Sequence, residues 1–167
     1  GTATAVAEPS VAVEPAAALG LAALQTGAYR PRADETVALI LCGANLDPAK
    51  IDYVNAHGTS TELNDAAESL ALKSVFGSHA YKLAISSTKS CIGHTLGASG
   101  AIGLIVGCKT IEKGIIHPTA NLETVAEECD PKMDYVPQQP RQAKVNYVLS
   151  NALGFGGHNA CLIAGKV

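Results

Sequence analysis

The sequence predicts an α/β fold in which a mixed β-sheet is packed with helices, and two observations carry that reading. Short runs of β-branched and aliphatic residues alternate with segments whose apolar positions recur at helical spacing, which predicts parallel strands joined by helices. The last two apolar runs instead follow one another across a glycine-rich loop, which predicts an antiparallel pair. With 47% apolar and 16% charged residues in 167, the chain can bury one core of ordinary size, and global disorder is excluded.

Taken in order, Glu14-Pro15 opens an Ala- and Leu-rich helix to about Gln25, with Gly27 past its end. Thr36 to Leu41 is predicted to be a central strand stopped by Cys42-Gly43, because it is apolar on both faces. Ile51 to Asn55 is the next strand, and Thr61 is positioned to cap a helix from Glu62 to about Phe76. Leu63, Ala66, Ala67, Leu70 and Ala71 give that helix its expected apolar face, and Gly77 ends it. Leu83 to Ser87 forms a third strand. Gly97 to Lys113 has almost no polar face, so it reads as a buried helix closed by Gly114. Its Gly97, Gly100, Gly103 and Gly107 are best explained by close approach of another backbone. An irregular stretch, Pro118 to Pro140, precedes the paired strands Asn146–Ser150 and Asn159–Ala164.

Several functional classes drop out on composition. Twelve basic against fifteen acidic residues, with no basic block, give a nucleic-acid partner no electrostatic basis. The longest apolar stretch, Ile102 to Cys108, is far short of the roughly 20 residues that span a bilayer, so no membrane crossing is expected. The first basic residue is Arg30, unlike the start of an export signal, and five scattered cysteines without a Cys-x-x-Cys suit free thiols in the cytoplasm. No two of the five histidines lie three or four residues apart, so no metal site is expected.

Three polar segments each follow an apolar strand: residues 54–65, 86–94 and 150–160. Strand ends of this kind converge at one edge of an α/β sheet. His57 places an imidazole there among hydroxyl groups, where a carbonyl can be polarised. His94 precedes the glycine-rich helix, whose dipole favours a neutral Nε2–H donor. Lys89 needs a partner if it is buried, and Glu68 or Asp65 on the preceding helix is the expected one, forming an ion pair. The two imidazoles are expected within roughly 8 Å of each other, the span over which two donors reach one carbonyl oxygen.

His57-Gly58-Thr59-Ser60-Thr61, Lys89 with Gly93-His94, Pro118-Thr119 with Asn121, Asp134 to Pro137, and Gly154-Phe155-Gly156-Gly157 with Asn159 together resemble the C-terminal half of β-ketoacyl-acyl-carrier-protein synthases, condensing enzymes of the thiolase fold. The resemblance covers about residues 47–167. It implies that His57 and His94 bind the malonyl thioester carbonyl and assist decarboxylation, with Lys89 in electrostatic support. It also implies that Thr59 and Thr61 line the pantetheine arm, that Phe155 gates the site, and that its backbone N–H, beside Gly156 and Gly157, contributes to an oxyanion hole. Implied partners are an acyl carrier protein and a lobe bearing the nucleophilic cysteine. That cysteine has no counterpart in these residues, since Cys91 stands where the family usually has a bulky or apolar residue. The chain alone is therefore expected to be inactive, and the alternative is a non-catalytic α/β scaffold carrying a vestigial site.

Residues 1–46 resemble something else: the C-terminal helix–strand piece of pyridoxal-phosphate lyases of the threonine synthase and dehydratase type, with Cys42 matching the residue that faces the cofactor. The lysine and phosphate loop of that family have no counterpart, so no cofactor is expected. Residues 1–49 carry two basic and five acidic side chains, against ten of each beyond, which adds to the expectation of a hybrid joined near Leu46-Asp47-Pro48. The foreign helix and strand are expected to pack on the same core.

Overall fold

The computed structural model describes residues 46–155 and 159–165. After a 3-10 turn at Pro48–Lys50, strand β1 (Tyr53–Asn55) leads into helix α1 (Glu62–Phe76), strand β2 (Ala84–Ser86) and the single-turn helix α2 (Lys89–Ile92). Helix α3 (Ser99–Lys113) follows, then the short strands β3 (Ile115–Ile116) and β4 (Arg141–Gln142), and finally the long strands β5 (Tyr147–Leu153) and β6 (Asn159–Gly165). The main sheet runs β2-β1-β5-β6, with β1 parallel to both neighbours and β6 antiparallel to β5; β3 and β4 pair separately. The expected helix and strand within residues 14–42 lie outside the described residues.

Both faces of the sheet are covered, which is why its central strands are apolar without alternation. Val54, Ile85 and Leu149 point to one side and meet Leu72 and Phe76 of α1 together with Ile51, Leu83 and Met133. Their neighbours Tyr53, Ala84 and Val148 point to the other side and pack with Ile116, Val136 and Val145. The β1 and β2 ladders are shorter than the apolar runs that predict them, because Ile51 and Leu83 are buried ahead of the ladder, in the core beneath α1.

Helix α1 has the expected limits but not the expected face. Leu63 is 88% exposed and Leu70 64%, whereas Glu68, Ser69, Leu72 and Phe76 are buried. The inward stripe is rotated because it must deliver a carboxylate, Glu68, to the end of β1. Thr61 occupies the N-cap position without capping the helix, since its hydroxyl pairs with that of Thr59 at 2.9 Å.

Helix α3 also departs from expectation. Only Gly103, Gly107 and Thr110 are buried, and Ile105 is 60% exposed, so the helix has one face on the sheet and an apolar face outside. The glycines explain its closeness to β5. A Cβ on Gly107 would lie 2.9 Å from Val148 Cγ1, and one on Gly103 would lie 2.9 Å from Ser150 Oγ and 3.0 Å from Asn55 Oδ1. Gly100 has room, with Ala152 Cβ at 3.5 Å, and Gly97 belongs to a 3-10 turn before the helix, where a Cβ would meet no described atom within 4 Å. Gly107→Ala is therefore expected to destabilise the chain by about 1–3 kcal/mol through overpacking, while Gly100→Ala stabilises it by up to ~1 kcal/mol through helix propensity. Urea unfolding of the two variants checks the contrast; equal effects would refute the packing argument. Among the described residues, no helix is long and apolar enough to cross a membrane.

Candidate active site

The C-terminal ends of β1, β2 and β5 meet at one edge of the sheet; the turns after β1 and β2 carry polar side chains, and β5 contributes Asn151 from within the strand. β1 runs into buried His57 and then Gly58, whose φ of +40° suits glycine; a Cβ there would lie 2.5 Å from that of Ser87. Glu68 reaches from α1 to close this turn. Its Oε1 accepts the His57 N–H at 2.9 Å and the Asn151 side-chain amide at 3.0 Å, and its Oε2 accepts the Gly58 N–H at 2.9 Å. The Ser87 hydroxyl, at the end of β2, donates to the Gly58 carbonyl at 2.9 Å. The backbone bearing His57 is thus held from both neighbouring elements.

Lys89 opens α2 and turns its ammonium back onto His57, donating to the His57 carbonyl and standing 3.3 Å from Nδ1. This corrects the expected ion pair. Glu68 is committed to backbone amides, and Asp65 accepts the Ser60 N–H at 3.2 Å and the Asn64 amide at 3.0 Å, so neither carboxylate bonds Lys89. Backbone donors and acceptors at the strand end compete for these charges, and a helical side-chain pattern does not display them. Burial pushes the Lys89 ammonium below its usual range, with Glu68 and Asp65 opposing at longer reach.

The rings of His57 and His94 are 5.6 Å apart between centroids and nearly perpendicular, at 84°. Their proton positions follow from their partners. An ammonium can only donate, so His57 Nδ1 accepts from Lys89 and its proton sits on Nε2. A backbone N–H can only donate, so His94 Nδ1 accepts from Leu96 at 3.0 Å, beside the Ser99 hydroxyl at 3.2 Å, and its proton is also on Nε2. The edge therefore carries two neutral-imidazole N–H donors side by side. Burial, then the Lys89 charge, lowers the His57 pKa. An unfolded imidazole takes up a proton near its ordinary value of about 6.5 while folded His57 resists it, so His57 erodes stability as pH falls below about 6.5. A lower urea midpoint at pH 5.5 than at pH 7.5, with the difference reduced in His57→Gln, is the expected result.

The remaining expected site residues are more dispersed. Thr59 and Thr61 lie at the rim as a hydroxyl pair, 2.9 Å apart. Phe155 does not cover the histidines: its side chain is 92% exposed beyond the end of β5, with no described element packed against it. Gly156 and Gly157 lie outside the described residues. Sequence reasoning missed Asn151 and Ser87, which brace Glu68 and the Gly58 turn. Their signal was available, since Ser87 falls in polar segment 86–94, just past β2, and Asn151 in polar segment 150–160, within β5. Beside Lys89, between Asn55, Thr88, Thr95, Ser99 and Asn151, a cavity of about 10 Å³ leaves room for roughly one water.

Residues 17–123 match the family described as β-ketoacyl synthase, C-terminal domain. The chain belongs to that family. The ketoacyl-synthase match also corrects the hybrid reading, because it begins at residue 17 and runs across the expected join at 46–48; the likeness of residues 1–46 to a pyridoxal-phosphate lyase has no support. The chain is 48% identical over 124 residues to 3-oxoacyl-[acyl-carrier-protein] synthase 2 of Coxiella burnetii, covering 74% of this chain and 30% of that relative. A solved β-ketoacyl synthase from Burkholderia phymatum superposes with a TM-score of 0.69 at 44% identity, over 74% of this chain and 29% of the other. A type II polyketide-synthase acyl-carrier protein in complex with its ketosynthase bound to the hexaketide gives 0.70 at 38% identity, over 73% and 29%. The chain thus spans about a third of the length of the curated relatives it matches, and its mixed sheet and helices are those of thiolase-fold ketosynthases.

Proposed function

We propose that this ketoacyl-synthase domain supplies the enolate-forming side of a decarboxylative Claisen condensation in fatty-acid or polyketide synthesis. The observation that carries the proposal is the pair of Nε2–H donors on His57 and His94. One malonyl thioester carbonyl oxygen accepts from both. As the bond from Cα to the carboxylate breaks, CO2 leaves and its electron pair passes into an enolate whose negative oxygen those donors stabilise. The enolate carbon then attacks an acyl thioester held on a cysteine, forming the new carbon–carbon bond and releasing the thiolate. Burial, with the Lys89 ammonium against Nδ1, holds the His57 imidazole neutral and leaves its proton on Nε2 for the substrate. Thr59 and Thr61 at the rim suit the pantetheine arm, and Phe155 with Gly156 and Gly157 is proposed to close over the site when the cysteine-bearing lobe is present.

The carrier of the malonyl group is proposed to be an acyl carrier protein, as for the neighbouring ketosynthase described in complex with one. The test is to assay malonyl-thioester decarboxylation and condensation with the 167-residue chain alone and with a cysteine-bearing N-terminal lobe added. No condensation alone and turnover on addition of the lobe is the expected result. A folded, lobe-bound domain that never decarboxylates would favour the scaffold reading. Residues 17–46, inside the family match, are proposed to share the core with β1. Hydrogen-exchange protection at Val37 to Leu41 equal to that of Tyr53 to Asn55 is the expected outcome, and rapid exchange would reject it.

A further inference from the structure

Behind the site, on the α3 side of the sheet, His117 sits in a cluster of polar side chains that the decarboxylation chemistry does not use. Its Nε2 is 2.9 Å from the Tyr53 hydroxyl, 3.2 Å from the Asn55 amide nitrogen and 3.2 Å from the Thr88 hydroxyl, and its Nδ1 is 2.9 Å from the Pro118 carbonyl. A consistent proton assignment starts from the Pro118 carbonyl. A carbonyl only accepts, so Nδ1 carries the proton and Nε2 is an acceptor. Burial pushes the Tyr53 hydroxyl up to about 12, so it keeps its proton, which in this assignment goes to Nε2. The Tyr53 oxygen accepts from the Ser86 hydroxyl at 2.9 Å and from Asn55 Nδ2 at 3.2 Å. The other Asn55 hydrogen goes to Thr88 Oγ1 at 2.7 Å, the shortest contact that this amide nitrogen makes.

The members of this cluster are placed to matter. Asn55 is two residues before His57, and Thr88 is one residue before Lys89. The segment after His117 grips α2 a second time, where the Ala120 N–H donates to the Ser90 hydroxyl at 2.8 Å and that hydroxyl donates to the Ser87 carbonyl at 2.8 Å. Asn55 and Thr88 also line the small cavity beside Lys89, so the cluster reaches the site from behind.

We propose that His117 is a positioning residue: as an obligate acceptor at Nε2 it orders Tyr53 and Asn55 so that Asn55 holds Thr88, and thereby seats Lys89 against His57. Burial keeps the His117 pKa below its ordinary value, so the acceptor persists at neutral pH. This deepens the proposed function, because it concerns the spacing of the same Lys89–His57 pair. Its test does not depend on turnover.

The experiment is an NMR titration of the His57 imidazole in this chain. The charged and titratable groups facing that ring are Lys89 from α2, Glu68 and Asp65 from α1, and His94. His117→Leu removes the acceptor, and Thr88→Val removes only the hydroxyl that links Asn55 to α2. Each should let the ammonium drift from Nδ1 and raise the His57 midpoint by about 0.3 pH or more. His117→Gln carries an oxygen out to the place of Nε2 and should restore the parent midpoint. Unshifted midpoints in Thr88→Val and in folded His117→Leu would overturn the proposal, as would a His117→Gln midpoint equal to that of His117→Leu. If His117→Leu fails to fold, an unshifted midpoint in Thr88→Val, or a His117→Gln midpoint raised as far as that of Thr88→Val, overturns the proposal. Normal titrations together with absent decarboxylation in the lobe-complemented enzyme would count against the proposed reaction while leaving the positioning role intact.

Discussion

His57→Ala and His94→Ala, each assayed with a cysteine-bearing lobe present, should lower malonyl decarboxylation by about 10²–10³-fold while acyl transfer to the cysteine stays within about threefold. The difference follows from when charge appears. A full negative charge develops on the malonyl thioester oxygen only as CO2 departs, and the two imidazoles that would stabilise it stand 5.6 Å apart between ring centroids at one edge of the sheet. Loading the cysteine places charge on a different carbonyl, which these donors do not serve. The double variant should lose less than the product of the two single effects, because both donors act on one oxygen. Radiolabelled CO2 release and mass spectrometry of the acylated cysteine separate the half-reactions. Equal loss of both would show that the histidines hold the fold together and do not stabilise an enolate.

Glu68→Gln should be the most disruptive single-atom change in the domain. The carboxylate accepts the N–H groups of His57 and Gly58 with separate oxygens, and also the Asn151 amide, at a buried position. Exchanging one oxygen for NH2 sets a donor against a backbone donor, so at least one charge-assisted bond is lost and a buried N–H is left without an acceptor. A loss of about 2–4 kcal/mol is expected by urea unfolding, with displacement of His57 from His94 visible in their ring chemical shifts. A change under about 0.5 kcal/mol would mean that the strand end is held by something other than Glu68.

These two predictions rest on unequal amounts of what the sequence could disclose. The limits of α1, the antiparallel pairing of β5 with β6 and the convergence of His57 with His94 follow from apolar runs, helical spacing and the polar segments at the strand ends. The partner of Lys89 does not follow, because its contact is a backbone carbonyl and sequence patterns display only side chains. The inward face of α1 misleads for a related reason: Glu68 is buried to serve backbone amides, so the most apolar stripe, through Leu63 and Leu70, lies outside. Helix α3 reads as buried because it is apolar nearly all round, yet its exposed Ile105 shows that only the glycine face meets described residues. His117 gives no signal alone; its role comes from Tyr53, Asn55, Ser86 and Thr88, which the topology brings to it from two other strands.

The order in which the strands appear along the chain constrains how the domain is made. β1 is completed on one side by β2 and on the other by β5, and Tyr147 at the start of β5 bonds Asp52 across a separation of 95 residues. A nascent chain that has emerged through β4 owns both histidines and Lys89 but lacks the strand against which α3 packs and which carries Asn151. Closing so large a loop carries an entropic cost before any contact offsets it, so the rate-limiting step of folding should be the docking of β5, late and after synthesis of most of the domain. Until then, the apolar edge of β1 is open to other chains, and recovery from the ribosome or from urea should fall with rising protein concentration and improve with a chaperone that shields extended apolar strands.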